Sequence, residues 1–228
     1  MMIKKWEDLP QEFQIEEIRP YYDILYQKNG SLLLKRALDL FVAIVLLLLL
    51  WPLFLVLIVC IRIDSPGPAI FKQIRVTQYG KQFHIFKFRT MVQNAAQLGS
   101  QVTTEHDPRI TRVGQLIRKC RLDEICQLLN VLNGTMTLVG TRPEVPKYVE
   151  KYTPEMMATL LLPAGVTSES SIEFKDEEKL LSAADDADRV YVEEVLPQKM
   201  EYNLASIKNY SLSNDLKTMF RTVAAVLK

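Results

Sequence analysis

The 228-residue chain has almost no net charge: 28 Lys and Arg stand against 27 Asp and Glu, a balance of +1. Such a balance exerts no global pull on nucleic acid, so any electrostatic function has to come from local clustering. Cysteine is scarce. Cys60, Cys120 and Cys126 make no even disulfide framework, and no His or third Cys stands near Cys120 and Cys126 at zinc spacing. All three read as reduced, small apolar residues of a cytosol-facing protein. Histidine is rarer still: His84 and His106 are the only two, and neither sits in a triad-like motif. The chain has no P-loop, no GxGxxG, no internal repeat and no low-complexity linker. It also lacks a basic face interleaved with aromatics, so no nucleic-acid partner is expected. The length suits one medium domain plus an attachment.

What the chain does have is one long apolar run. Residues 37–61 read ALDLFVAIVLLLLLWPLFLVLIVCI, with Asp39 the one charge among them. At about 1.5 Å per residue, a helix of this length crosses a hydrocarbon core of roughly 30 Å. The run starts too late, is too long and lacks the cleavage site of a signal peptide. Two features weigh against plain spanning. Pro52 lies inside the run, where it removes a backbone donor and favours a break or kink. Lys35 and Arg36 precede the run and Arg62 follows it, so the basic flanks do not choose opposite sides. A spanning helix and a re-entrant one, with both ends on the cytoplasmic side, stand level on these grounds.

The remainder is globular in pattern. Pro20 can open a short helix and Gly30 close it. DSPGP at 64–68 is a turn cluster. AIFKQIRV (69–76) and KQFHIFKF (81–88) read as strands, and TQYG between them makes a hairpin. Val113 to Leu132 is mainly helical, interrupted near an acid pair. TPEMMATLLL (153–162) has a Thr cap and Pro at the first helical position. In the last segment Leu216, Met219, Phe220, Val223 and Leu227 share one helical face, with Lys217, Arg221 and Lys228 off it. That pattern suits either an in-plane membrane helix or a core-facing one.

The acid pair is Asp123 and Glu124, in RLDEICQL. Acids in a first helical turn are ordinary helix chemistry, so the pair alone does not separate structure from catalysis. Cations gather around it in sequence: Lys87 and Arg89 in KFRTM, Arg109 and Arg112 in DPRITR, Arg118, Lys119 and Arg121 in RKCR, and Arg142 in GTRP. Each alone suits a solvated surface. Together they could hold a multiply charged phosphate ligand, for which Arg is fitted by its bidentate fork.

The ordered series KRALD (35–39), the apolar run with its internal Pro, DSPGPAIFKQIRV (64–76), KFRTM (87–91), DPRITRVGQLIRKCRLDEICQLLNVLNGTMTLVGTRP (107–143) and PAGVTS (163–168) closely resembles the bacterial sugar transferase family. The resemblance covers about residues 32–228. It implies an α+β, mostly helical fold with a re-entrant helix-break-helix segment, a small β-hairpin and amphipathic interfacial helices. The implied division is an N-terminal extension over 1–31, the membrane helix over 32–62 and a cytoplasmic catalytic domain over 63–228.

The resemblance also implies a reaction: transfer of a sugar-1-phosphate from a UDP-sugar to undecaprenyl phosphate or a similar polyprenyl carrier, with release of UMP. The site would be the cytoplasmic face of a bacterial inner membrane, and the product the first lipid-linked step of a glycoconjugate. Asp123 takes the place of the family's nucleophile, forming a covalent phosphosugar intermediate. Asp123 and Glu124 would also carry Mg²⁺, and Glu124 would support that metal or protonate a leaving group. Arg118 and Arg142 are the leading phosphate contacts, followed by Lys87, Arg89 and Arg112. Lys35, Arg36 and Asp39 match the membrane entrance, where a lipid phosphate could be met, and Pro52 marks the helix break. A homodimer is left open.

The chain departs from the usual pattern at Trp51 before Pro52, Thr77, Arg121, Cys126, Thr135 and Thr141. The Trp51 change bears on the helix break, and the Thr135 change on a structural or metal-shell contact. Two other classes compete: a non-catalytic membrane scaffold, and a glycosyl transferase that releases UDP.

Overall fold

A computed structural model describes residues 1–95, 107–177, 181 and 186–226. His106, Leu227 and Lys228 lie outside them. The fold is α+β and mostly helical, with two small sheets.

The first 27 residues are part of the domain rather than a loose attachment. Phe13, Ile18 and Leu25 are fully buried and pack with Tyr79, Leu161 and Ile207 of the later chain. Helix α1 (Arg19–Gln27) opens with Pro20 in its first turn, as expected. Gly30 does not close it. The chain bends at Lys28 (φ −101°, ψ 17°) and Gly30 falls in the first turn of α2 (Asn29–Asp64). The bend is stabilised by Lys28, whose N–H meets the Leu25 carbonyl at 3.0 Å and so ends α1.

Helix α2 is continuous over 36 residues and passes through Pro52. The expected helix-break-helix is therefore absent as a non-helical interruption. Proline removes only the bond to the carbonyl four residues back, and the apolar residues on either side retain every reason to stay helical. An 18-residue window of α2 has mean hydropathy 3.3, and the domain buries only 11% of it. Leu48, Leu49 and Trp51 point outward. The helix is long and apolar enough to cross a membrane, and most of its apolar surface is left uncovered by the domain.

Both arms of α2 nevertheless rest on the same domain. Before Pro52, Ala43 packs with Val131, Met136 and Leu138. After it, Leu57 and Ile61 pack with Phe88, Ile117 and Cys126.

The expected hairpin is present. Strands β1 (Ile70–Val76) and β2 (Gln82–Phe88) are antiparallel, with Ile70 opposite Phe88 and Val76 opposite Gln82. Its turn uses left-handed Tyr79 (φ 56°) and Gly80 (φ 71°). The stretch after it is helical in two pieces, as expected: α3 (Arg112–Lys119) and α4 (Leu128–Leu132), joined by a 3-10 turn at Leu122–Gln127. Gly114 allows α3 to sit on the end of β2, since a Cβ there would lie 2.1 Å from the Thr90 carbonyl oxygen.

A second sheet was not foreseen. Strands β3 (Met136–Val139) and β4 (Ala164–Thr167) pair in parallel, with Met136 opposite Ala164. Strands of four residues carry too little alternation to stand out. Between them lie α5 (Pro146–Val149) and a 3-10 turn at Met156–Leu161, which replaces the expected α-helix there. After β4 come α6 (Glu169–Glu173), α7 (Ala187–Val190), a π-helical turn (Tyr191–Val195), α8 (Leu196–Lys208) and α9 (Leu212–Val226). The apolar face of α9 turns outward, with Phe220 75% exposed and Val223 58%. Met219 of the same face packs against the core, so α9 is covered on one side and open on the other.

Candidate active site

The site begins with the way β2 and α4 are joined. Asn130 on α4 is fully buried. Its amide nitrogen donates to the His84 carbonyl at 2.8 Å, and its oxygen accepts from the Phe86 N–H at 2.9 Å. These bonds fix the turn that carries the acids against the strand that carries Lys87. The chain reaches the turn through Arg121, left-handed at φ 52°, a conformation that costs a non-glycine residue roughly 1–2 kcal/mol. Here the Arg121 guanidinium also donates to the Lys175 carbonyl at 2.8 Å.

Glu124 is the hub of the charge arrangement. Its Oε1 accepts from Lys87 Nζ at 3.0 Å, and Arg142 grips both its oxygens, reaching Oε2 at 3.1 Å. Burial alone would raise the Glu124 carboxyl, but the charges and hydrogen bonds of Arg142 and Lys87 outweigh it and hold the group well below the usual carboxylate range. Asp123 goes the other way. Burial raises it above the ordinary value, the Glu124 charge adds to that, and Lys87, Arg118 and Arg142 oppose it only in part. The surrounding cations therefore hold Glu124 low but do not do so for Asp123. Neither acid serves as a helix cap. Behind them Cys126 is buried, its thiol pushed up to about 12 by burial. Cys60 is half-buried and Cys120 exposed, so the expected apolar setting holds fully only for Cys126.

Asp123, Glu124, Lys87, Arg118 and Arg142 line one open cavity of about 1510 Å³. The other expected contacts are placed differently. Arg89 borders the cavity, but it is buried and its guanidinium donates to the Ser65 and Pro66 carbonyls, both at 2.7 Å, and to the Ile61 carbonyl at 3.4 Å. It closes the end of α2. The neighbouring turn needs Gly67, at φ 116°, whose Cβ would lie 2.3 Å from Arg89 Nη1. Arg112 is exposed at the start of α3 and does not line the cavity; Arg109 does. Arg109 is paired with Asp107 at 2.5 Å, and its hydrogen bonds hold the Asp107 carboxyl below its ordinary value.

The three membrane-entrance residues are bonded within the protein. Lys35 is buried, 2.7 Å from Asp215 of α9 and 3.8 Å from Asp39. Asp39 accepts from the Thr137 hydroxyl. Arg36 donates to the carbonyls of Val131 at 2.7 Å and Leu132 at 3.3 Å, closing α4. Each of the three thus has a partner within the protein. Thr77 and Thr135, two departures from the family pattern, meet each other: the Thr77 hydroxyl donates to the Thr135 carbonyl at 2.7 Å. Neither lines the cavity.

Sequence reasoning missed the buried charges beyond Arg142. Arg75, Glu144, Tyr191 and Lys199 line the same cavity. Only the position of Glu144, two residues after Arg142, could have signalled them.

Among the described residues no group of three or more His, Cys, Asp or Glu side chains forms a metal cage. The two carboxylates do fit Mg²⁺ in its usual mode, one or two carboxylates with the rest of the shell from substrate phosphate and water. Asp123 is the better placed, since Glu124 is held by two cations.

An acid pair ringed by cations thus lies beside an apolar helix whose two arms rest on the same domain. The chain belongs to the bacterial sugar transferase family, whose sequence model matches residues 22–228. An Aeromonas hydrophila relative, a UDP-N-acetylgalactosamine-undecaprenyl-phosphate N-acetylgalactosaminephosphotransferase, is 36% identical over 197 residues, 85% of this chain and 44% of its own. The UDP-glucose:undecaprenyl-phosphate glucose-1-phosphate transferase of Escherichia coli (strain K12) is 34% identical over 196 residues, 84% of this chain and 39% of its own. A Caulobacter vibrioides protein of the same name is 35% identical over 198 residues, 85% of this chain and 69% of its own. The chain thus spans less than half the length of the first two relatives.

Proposed function

We propose that the protein transfers a sugar-1-phosphate from a UDP-sugar to undecaprenyl phosphate and releases UMP, at the cytoplasmic face of a bacterial inner membrane. The observation that carries this reading is the pairing of Asp123, raised and lining the cavity, with Glu124, held anionic by Lys87 and Arg142. The family and the names of its relatives support the substrates.

An ionised Asp123 oxygen attacks the phosphorus that bears the sugar. The bond from that phosphorus to the oxygen bridging the two phosphates breaks, and UMP leaves with that oxygen. Asp123 then holds the phosphosugar as an acyl phosphate. A phosphate oxygen of the lipid carrier attacks the same phosphorus, the acyl bond breaks and the carboxylate is restored. A carboxylate with a raised pKa is a better nucleophile than an ordinary one, provided it is ionised at working pH. Glu124 is held anionic, so it suits a role in positioning Lys87 and Arg142 rather than in giving a proton. Those two cations and Arg118 offset charge as it shifts between phosphate oxygens. Mg²⁺, when bound, adds Lewis-acid stabilisation of the same charge.

The contacts of α2 support this membrane arrangement. Arg36 and Asp39 at one end and Ile61 and Asp64 at the other are bonded to the same domain, Asp64 accepting the Val113 N–H at 3.1 Å. A helix fixed to one domain at both ends supports entry and exit by the same face, with the return made by a bend at Pro52 that keeps the helix intact. The exposed apolar face of α9 supports a helix lying in the plane of the interface.

The test is an assay of UMP release from a panel of UDP-sugars with undecaprenyl phosphate in detergent. UMP supports the reading; UDP would point to a glycosyl transferase, and no nucleotide product to a scaffold.

A further inference from the structure

Beyond Arg142 the cavity wall is of mixed charge. Near the acids it is rich in cations. Farther on it also includes Glu144, Glu177, Tyr191 and Lys199. These residues come from four places: the loop after β3, the chain after α6, the π-helical turn and α8. They form one connected group. Lys199 Nζ lies 3.1 Å from Glu177 Oε2, 3.2 Å from the Tyr191 hydroxyl and 3.6 Å from Glu144 Oε1. The Tyr191 hydroxyl donates to Glu144 Oε1 at 2.5 Å.

Lys199 and Glu144 are almost wholly buried, whereas the Glu177 side chain is 29% exposed where it lines the cavity. Glu177 is therefore the member a ligand meets, and the others hold it. A π-helical turn is rare and recurs at functional sites; here it places Tyr191 against Lys199.

Chemistry selects the ligand. Lys199 and Arg75 are paired with Glu177 and Glu144, so this wall offers a diphosphate no net positive charge. A neutral polyol is different: its hydroxyls donate to carboxylates and accept from ammonium groups. In a nucleotide sugar, the sugar is attached to the phosphate that Asp123 attacks, so its ring must lie next to the phosphate contacts. Glu177 is close enough to Arg142 for its charge to raise the guanidinium.

We propose that Glu177 contacts hydroxyls of the sugar ring and sets which UDP-sugar is used, with Lys199 as its positioning residue. This rests on the sugar-phosphate transfer proposed above. A site that hydrogen-bonds a hydroxyl discriminates strongly against a sugar that lacks or inverts it.

The experiment measures kcat and KM for UMP release by the full chain with UDP-glucose, UDP-galactose, UDP-N-acetylglucosamine and UDP-N-acetylgalactosamine. It compares the parent with Glu177→Gln, Glu177→Asp and Lys199→Met, and adds inhibition by UMP as a probe of the nucleotide end. Glu177→Gln should lose about tenfold or more in kcat/KM for the preferred sugar and less for the others, with UMP inhibition unchanged. Glu177→Asp, which keeps the charge and the fold but shortens the reach, should also alter the order of preference. Lys199→Met should do the same without changing UMP inhibition. An unaltered order in all three, or an equal loss for every sugar, would overturn the inference and leave a structural ion pair. Weakened UMP inhibition would move Glu177 to the nucleotide end and overturn it too. If the parent itself releases no UMP from any sugar, the transfer reading fails first; if it does and only the order is unmoved, this inference alone falls.

Discussion

Lys87 Nζ sits 3.0 Å from Glu124 Oε1, joining the last turn of the hairpin strand to the acid pair. The same ammonium is the largest charge acting to lower Asp123, against burial and the Glu124 carboxylate, which raise it. Lys87 thus tunes the nucleophile without having to touch it.

That relation sets a pH dependence. Attack needs ionised Asp123, so kcat/KM should rise with pH through the Asp123 pKa, which lies above the ordinary carboxylate value. Lys87→Met removes a charge that lowers this pKa, and the acid limb should move to higher pH. A limb that stays in place, or moves to lower pH, would show that Lys87 does not act on the ionisation of Asp123.

Arg142 binds both oxygens of Glu124. A lysine keeps the charge but not the fork. Arg142→Lys should therefore lower kcat by about a hundredfold, with the melting temperature changed little. Near-normal turnover with a lowered melting temperature would make Arg142 a structural residue.

Much of this site was legible in the chain itself. The hairpin announced itself by two β-rich stretches around TQYG, and Asp123, Glu124 and Arg142 by their place in an ordered series of motifs. The protein partners of Lys35, Arg36 and Arg89 were hidden for a common reason. A sequence shows a charge, but not the carbonyls or carboxylates that await it. The ends of α2 and α4 take two of these cations, and buried acids the third. The group of Glu144, Glu177, Tyr191 and Lys199 was illegible because its members are far apart in sequence and meet only in the fold. The continuity of α2 was missed because proline signals a lost donor, whereas the neighbouring residues decide whether the helix continues.

Asn130 joins the acid turn to β2 through the Phe86 N–H and the His84 carbonyl. Asn130→Leu leaves both without their partner, at a cost of about 1–3 kcal/mol for each buried group. The variant should inactivate at lower temperature, and its remaining activity should fall because Lys87 and Glu124 are no longer in register. Unchanged thermal inactivation would remove Asn130 from this account.

Topology is tested by labelling. With the native cysteines replaced, single cysteines at Lys4 and Glu150 should react with an impermeant thiol reagent from the same side of the membrane. Reaction from opposite sides would restore a spanning helix. Pro52→Leu supplies the missing backbone donor and should shift the balance toward spanning.

The central claim is that Asp123 forms a covalent phosphosugar. The protein is incubated with Mg²⁺ and its UDP-sugar without lipid carrier, and UMP and intact mass are followed together. The account predicts UMP release that stops at the enzyme concentration, a mass gain of one sugar-phosphate, and a modified peptide that maps to Asp123. Asp123→Asn should show neither the gain nor turnover. Turnover by Asp123→Asn at a rate near the parent's, or an adduct carried by Glu124, would contradict it.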